Sequence, residues 1–209
     1  MCGRFILLTD LSVIVESFRI GDVAAEYKPG SNISPGQQIS AVIRSKDANK
    51  LVDFRWGLIP SWAKDPSIGN KMFNARAETI AEKPSFREAF KKRRCLIVAD
   101  GFYEWQKIGR IKKPLRFSLK SGAPFGLAGL YETWISPEQK PVHTCTIITT
   151  EPNDLIRPIH DRMPVIVIKE LEDFWIDPGS HNSRELLSIL KPYPAVDMDV
   201  SEAIMLRNN

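Results

Sequence analysis

Through much of the chain, apolar and polar residues alternate in short runs bounded by Gly, Pro, Asn and Asp, the pattern of half-buried strands. This predicts strands over 2–8, 39–44 and 51–56, with an extended stretch over 72–80. From Cys95 onward strands follow closely, over 95–99, 102–107, 115–119, 125–134, 143–149 and 163–168, with a short one near 196–200. Helical spacing is rarer. Leu11, Ile14, Val15 and Phe18 form one apolar stripe behind a capping Asp10, which predicts a helix over 11–19. Ser85 and Glu88 have capping-box spacing and open a helix through Phe90. It ends in Lys91-Lys92-Arg93-Arg94, where cations suit the carbonyl end. Further helices are predicted over 170–175 and 182–190, and one helical turn over 153–157. A Gly/Pro-rich loop spans 28–36, an irregular stretch covers 57–70, and turns are expected at 47–49, Gly109, Gly122 and Pro137. Connections this short cannot hold crossover helices, so the strands are expected to be largely antiparallel. The fold class is α+β, in one domain over 1–209.

Composition narrows the function classes. The 209 residues are 43% hydrophobic and 26% charged, as in a globular domain. No apolar run reaches the roughly 18 residues of a membrane span and no signal peptide precedes the first strand, so a cytoplasmic protein without membrane contact is expected. The three cysteines form no C-x-x-C, which argues against a disulfide framework or zinc site. Cys95 and Cys145 lie in strand-like runs and are expected in the core. No metal or cofactor is expected, and the protein is expected to act as a monomer. A net charge of +4 gives mild support for a polyanionic partner.

The chemistry begins at Met1-Cys2-Gly3-Arg4. Loss of Met1 would leave Cys2 with a free α-amine beside its thiol, and an α-amine of pKa about 7.7–8.0 is partly nucleophilic at neutral pH. Such a 1,2-aminothiol condenses with an aldehyde to an imine and then closes a thiazolidine ring. A frayed terminus is the ordinary alternative for residue 2. Two further stretches share its local pattern: Asn74 precedes Arg76, and His160 precedes Arg162, each by two positions. On a strand, such pairs share one face about 6.6 Å apart, suited to gripping phosphate beside a working group. Glu104, in Asp100-Gly101-Phe102-Tyr103-Glu104-Trp105, is set on the face of Phe102, where burial would raise its pKa toward proton-transfer values. A salt-bridged structural glutamate is the alternative. His160 suits acid–base work, tuned by Asp161 or another acid; His143 and His181 have no such setting. Trp56, Trp62 and Phe73 interleave with Arg55, Lys64, Lys71 and Arg76, a pattern fit for single-stranded nucleic acid. Trp56 is the ring most expected in the core.

Together these stretches resemble the SRAP family of SOS-response-associated peptidases, or abasic-site processing proteins. The matching strings are Met1 to Phe5, Trp-Gly-Leu-Ile-Pro-Ser-Trp at Trp56 to Trp62, and Asn-Ala-Arg-Ala-Glu-Thr at Asn74 to Thr79. Arg-Cys-Leu-Ile at Arg94 to Ile97, Asp100 to Trp105, Ala-Gly-Leu-Tyr at Ala128 to Tyr131, and His-Asp-Arg-Met-Pro at His160 to Pro164 complete the set. The resemblance implies curved, mostly antiparallel sheets forming a barrel-like core with flanking helices. It implies binding to abasic sites in single-stranded DNA and at junctions with duplex, and a role in the DNA damage response, with the bound protein at the nucleoid. By motif, Cys2 would form a thiazolidine with the ring-opened sugar and Asn74 would position that sugar. Glu104 would move protons during condensation, and His160 would open the sugar ring and help reverse the crosslink. Arg4, Arg76 and Arg162 match phosphate contacts, and Trp62 a DNA-contacting position. The peptidase label refers to loss of the residue before Cys2. The stretch Thr149 to Asn153 departs from the family's usual Thr-Thr-x-Ala-Asn, and Trp62 is followed by Ala63 where some members carry a second tryptophan. Competing readings are an N-terminal-nucleophile hydrolase of the glutamine-amidotransferase type and a non-covalent single-strand binder.

Overall fold

The computed structural model of the protein describes residues 2–46, 48–179 and 182–203. Met1 and Asp47, at the turn expected over 47–49, lie outside the described residues. In chain order the strands are β1 (Phe5–Leu7), β2 (Ile20–Val23), β3 (Gly30–Ile33), β4 (Gln38–Ser45), β5 (Ala48–Trp56), β6 (Asn74–Arg76) and β7 (Arg94–Ala99). They continue with β8 (Gly101–Ile108), β9 (Ile111–Leu119), β10 (Phe125–Ile135), β11 (Pro141–Thr150), β12 (Met163–Pro164) and β13 (Met198–Glu202). The helices are α1 (Leu11–Ser17), α2 (Arg87–Lys92), α3 (Glu172–Ile176) and α4 (Ser183–Ile189).

Strands β5, β4, β7, β10 and β11 follow one another edge to edge, and β11 then meets β5 in parallel through Thr144↔Arg55 and Cys145↔Trp56. That pairing closes a barrel and removes the free edges an open sheet would leave. The interior is apolar. Trp56, Ile97, Leu127, Cys95 and Cys145 are fully buried there, the cysteines in the expected core positions. Trp56 packs against Phe5 at 5.4 Å and Phe73 at 6.2 Å between ring centres, joining β1 and the segment before β6 to the barrel wall. The α+β class with a barrel-like core and mostly antiparallel strands is what the sequence and the resemblance led us to expect. The parallel exceptions are β11 against β5 and β6, and β2 against β5.

A second sheet, in the order β13-β9-β8-β1-β3, leaves the barrel directly from β7. Only Asp100 separates β7 from β8, and its carboxylate accepts from Leu8 N at 2.5 Å, Thr9 N at 2.9 Å and Thr9 Oγ1 at 2.7 Å. The end of β1 is thereby tied to the point where the chain changes sheets. The basic run after Phe90 acts through Arg94, which is buried. Its guanidinium donates to Phe90 O at 2.7 Å and Lys91 O at 2.6 Å, the last carbonyls of α2, and to Trp175 O at 2.7 Å on α3.

Several local expectations give way to tertiary contacts. Residues 2–4 are not strand; β1 begins at Phe5. The loop expected over 28–36 contains β3, and β2 was not foreseen at all. Both are edge strands, β2 mostly exposed and β3 polar and half-buried, so neither carries an apolar alternation. The extended stretch 72–80 is strand only over β6 and then winds into a 3₁₀ turn, Ala77–Thr79. The strand expected over 163–168 shrinks to β12 with one bridge, Leu127↔Ile166. The side chain of Asp10 does not cap α1, and α2 starts at Arg87 behind Phe86 instead of at a Ser85 capping box. Asn182 does cap α4, accepting from Arg184 N at 3.0 Å. Among the described residues no helix is long and apolar enough to cross a membrane.

Candidate active site

Cys2 lies just ahead of β1, in the groove between the two sheets, and is fully buried. Its position is fixed from both sides. From the barrel, β6 lies parallel to β11 with Asn74 opposite Ile147, and Asn74 Nδ2 donates to Cys2 O at 2.8 Å. From the second sheet, β8 runs antiparallel to β1 with Phe102 opposite Phe5, and Tyr103 N donates to Arg4 O at 2.9 Å. Carrying that register backward brings Glu104 alongside the segment ahead of β1. Asn74 Oδ1, on the same amide, is buried and accepts no hydrogen bond among the described residues. An unmet buried acceptor is costly unless a partner arrives, so it is a waiting contact for a ligand hydroxyl or amine.

Glu104 is 3% exposed, on the face of Phe102 as its alternation requires. Burial is the main reason its carboxyl rises from 4.5 to about 7, and the charge of Asp161 adds to the rise. Burial, and then the Glu104 charge, push the Cys2 thiol up to about 12. The thiol is therefore an S–H at neutral pH, beside a carboxyl close to half-protonated. His160 Nε2 lies 4.0 Å from Glu104 Oε2. On the other side of the ring, Nδ1 accepts from Arg162 N at 3.0 Å and lies 2.9 Å from Asp161 Oδ1. The Arg162 N–H favours a lone pair on Nδ1, whereas the Asp161 carboxylate favours a proton there, so the two contacts pull the ring toward opposite tautomers. Burial holds this imidazole below its ordinary pKa. The site thus combines a protonated thiol with a carboxyl titrating at about 7 and a neighbouring imidazole that burial keeps neutral more readily than usual.

Above this floor is a cleft of about 340 Å³ lined by Arg4, Glu104, Trp105, Lys107, Lys112 and His160. Larger hollows lie along β3 and β4, away from Cys2. Arg4 reaches Asn32 Oδ1 at 3.3 Å. Arg76 is exposed at the end of β6. Arg162 is engaged: it donates to both oxygens of Glu78, at 2.8 and 2.9 Å, and to Thr149 O at 2.6 Å. This pairing holds the Glu78 carboxyl below its usual range, so a phosphate reaching Arg162 must compete with Glu78. Trp62, 59% exposed, stands outside the cleft lining on a loop held by Trp134 Nε1 donating to Ala63 O at 2.7 Å. Among the described residues no group of three or more His, Cys, Asp or Glu side chains could hold a metal.

The fold therefore brings Cys2, Asn74, Glu104 and His160 together. The shared-face geometry expected of the three arginine pairs holds only for Asn74 and Arg76 on β6. Cys2 and Arg4 precede their strand, and Arg162 turns its backbone N–H onto the ring of His160. Sequence reasoning missed Lys107 and Lys112. They face each other across the β8–β9 hairpin, and the Gly109 turn with basic residues on both sides was the signal.

The family model for the SOS response associated peptidase (SRAP) matches residues 1–205. The chain belongs to the SRAP family. The abasic site processing protein YoqW of Bacillus subtilis (strain 168) is 49% identical over 212 residues, covering 100% of this chain and 95% of that relative. The abasic site processing protein HMCES of Gallus gallus is 32% identical, covering 79% of this chain and 59% of its own length. Among solved structures, a protein from Bacteroides thetaiotaomicron superposes with a TM-score of 0.89 at 28% identity, over 96% of this chain and 91% of that one.

Proposed function

We propose that this SRAP protein captures the ring-opened aldehyde of an abasic nucleotide in single-stranded DNA, including at junctions with duplex, on Cys2. The reading is that Met1 is first removed by hydrolysis, with the site's own residues able to assist. The freed amine then condenses with the sugar aldehyde to an imine, releasing one water. The Cys2 S–H adds across the C=N bond: sulfur bonds to carbon, and the thiol proton ends on nitrogen. No oxidant or reductant is needed. An imine at that carbon otherwise promotes β-elimination and strand breakage, and ring closure removes this electron sink. The DNA strand stays intact beneath the bound protein.

The observation that carries this reading is the anchoring of residue 2 by Asn74 beside Glu104, with His160 behind it. A thiol held near 12 is a poor free nucleophile. It suits delivery as S–H to an adjacent imine, with Glu104, titrating near neutrality, taking and returning the proton. In the same reading His160 protonates the sugar ring oxygen, Asn74 positions the sugar, and Arg4, Arg76, Arg162 and Trp62 hold the flanking strand. The names of the relatives support the substrate class. The test is an adduct with single-stranded DNA bearing one abasic site that survives denaturation, together with intact-mass analysis for loss of Met1. Cys2→Ala should abolish the adduct; wild-type crosslinking by that variant would refute the reading. Glutaminase activity without an adduct would favour the N-terminal-nucleophile alternative.

A further inference from the structure

The β8–β9 hairpin extends well past the site it helps to build. From Glu104↔Leu115 the pairing continues through Trp105↔Pro114, Gln106↔Lys113 and Lys107↔Lys112 to Ile108↔Ile111, across a turn of Gly109 and Arg110. Gly109 has φ +60, which lets the ribbon turn within two residues. Ile108 is four positions beyond Glu104, so the tip stands about 13 Å along the strand from that carboxyl. That is the reach to a neighbouring nucleotide, beyond the reacting sugar.

The ribbon's side chains are unusual for a solvated tip. Ile108 is 53% exposed and Ile111 69%, directly opposite each other. Two β-branched apolar side chains side by side at the end of a ribbon form a patch, where polar turn residues would cost nothing to hydrate. Lys107 and Lys112 both line the cleft that contains Glu104 and His160, and neither has an ion-pair partner among the described residues. Lys113, by contrast, pairs with Glu202 on β13.

We propose that this ribbon is a DNA wedge, in which Lys107 and Lys112 grip the phosphates flanking the abasic nucleotide and the Ile108–Ile111 tip packs on the bare face of the adjacent base. The inference rests on the function proposed above for its substrate. Phosphates complement the two unpaired lysines. Apolar wedges are a common way for proteins to part neighbouring bases, at a cost set by the stacking they break. At an abasic nucleotide one stacking partner is already missing, so insertion is cheap there and more costly in an intact strand. The ribbon would thus help distinguish damaged from intact DNA before any covalent chemistry.

The test uses the full chain and a single strand containing a tetrahydrofuran abasic analogue, which has no aldehyde, with 2-aminopurine as the neighbouring base. Wild-type protein should bind this strand more tightly than the intact one and raise the 2-aminopurine fluorescence. The double variant Ile108→Ser/Ile111→Ser should lose roughly tenfold in affinity for the analogue strand, little for the intact strand, and the fluorescence rise. Lys107→Gln/Lys112→Gln should flatten the dependence of log K on log salt by about 1.4. Wild-type affinity, fluorescence and salt slope in both variants would overturn the proposal, as would a tip that instead drives concentration-dependent self-association abolished by the Ser changes. Adduct formation on a true abasic strand is scored separately. If wild type crosslinks but the variants bind normally, the wedge falls and the chemistry stands; if the variants lose analogue binding but wild type never crosslinks, the reverse holds.

Discussion

Replacing Glu104 by Gln should make the protein more stable and less active, with the stability gain confined to neutral and alkaline pH. In the folded state the carboxyl titrates at about 7 instead of 4.5, chiefly because it is buried. A native pKa above the unfolded one means that the folded state binds the extra proton. The associated stability is fully present below 4.5 and is lost as pH rises through about 7. The interval corresponds to about 3 kcal/mol, withheld from the native state once the carboxylate is ionised. Gln keeps the shape and never ionises. Glu104→Gln should therefore match wild type at pH 5 and exceed it by about 2–3 kcal/mol at pH 9. Urea denaturation at pH 5, 7 and 9 and constant ionic strength gives the comparison directly. The raised Cys2 thiol adds its own loss of stability near pH 9, but it does so in both proteins and so cancels in the comparison. Adduct formation on abasic DNA should fall by about 10²-fold or more, the usual value of a positioned acid–base group. A stability difference independent of pH, or a variant weaker than wild type at pH 9, would show that Glu104 is an ordinary ionised structural glutamate.

Glu78→Gln should free the Arg162 guanidinium, steepening the salt dependence of single-strand binding by about 0.7 in log–log slope. Because Glu78 is half-exposed, its stability cost should stay within about 1 kcal/mol, and that contribution should disappear as pH falls through the carboxylate range; an unchanged slope would mean that Arg162 meets no phosphate. Asp100→Ala strips the acceptor from Leu8 N, Thr9 N and Thr9 Oγ1 and should cost about 2–4 kcal/mol in denaturant unfolding. It should also slow adduct formation, since β1 leads directly from Cys2; full-rate crosslinking would show that Cys2 is held without β1.

What the sequence revealed was local. Trp56 could be read as core and Glu104 as sharing the face of Phe102, because alternation along one strand decides both. The residue types at Cys2, Asn74 and His160 declared a chemistry before any geometry was known. What stayed hidden depended on contacts between distant segments. Glu78 meets Arg162 across a separation of 84 residues, so the arginine of the His160 motif reads as an open phosphate site when it is already occupied. The strand β3 has a polar, half-exposed sequence and exists because β1 lends it a partner. The capping box at Ser85 fails for the same reason: there the chain is still in the turn that packs Phe86 into the core.

A terminal residue is normally the most mobile part of a chain, and here it is the proposed nucleophile. The fold answers that difficulty by making β1 an interior strand, between β8 and β3, with Asp100 tying its far end and Asn74 holding Cys2 O across the gap to the barrel. Fixing Cys2 before substrate arrives removes conformational entropy from the encounter, which is where positioned reactants gain most of their advantage. The same burial that fixes the thiol also keeps it protonated, so fixation alone would leave the site inert. In the mechanism proposed above Glu104 resolves this, because it is buried beside the thiol: the low-polarity surroundings that raise the thiol also bring the carboxyl pKa to about 7, where it can relay the thiol proton to the imine nitrogen. The Cys2 thiol and the Glu104 carboxyl are tuned by one environment, and opening that environment to water should lower both pKa values together.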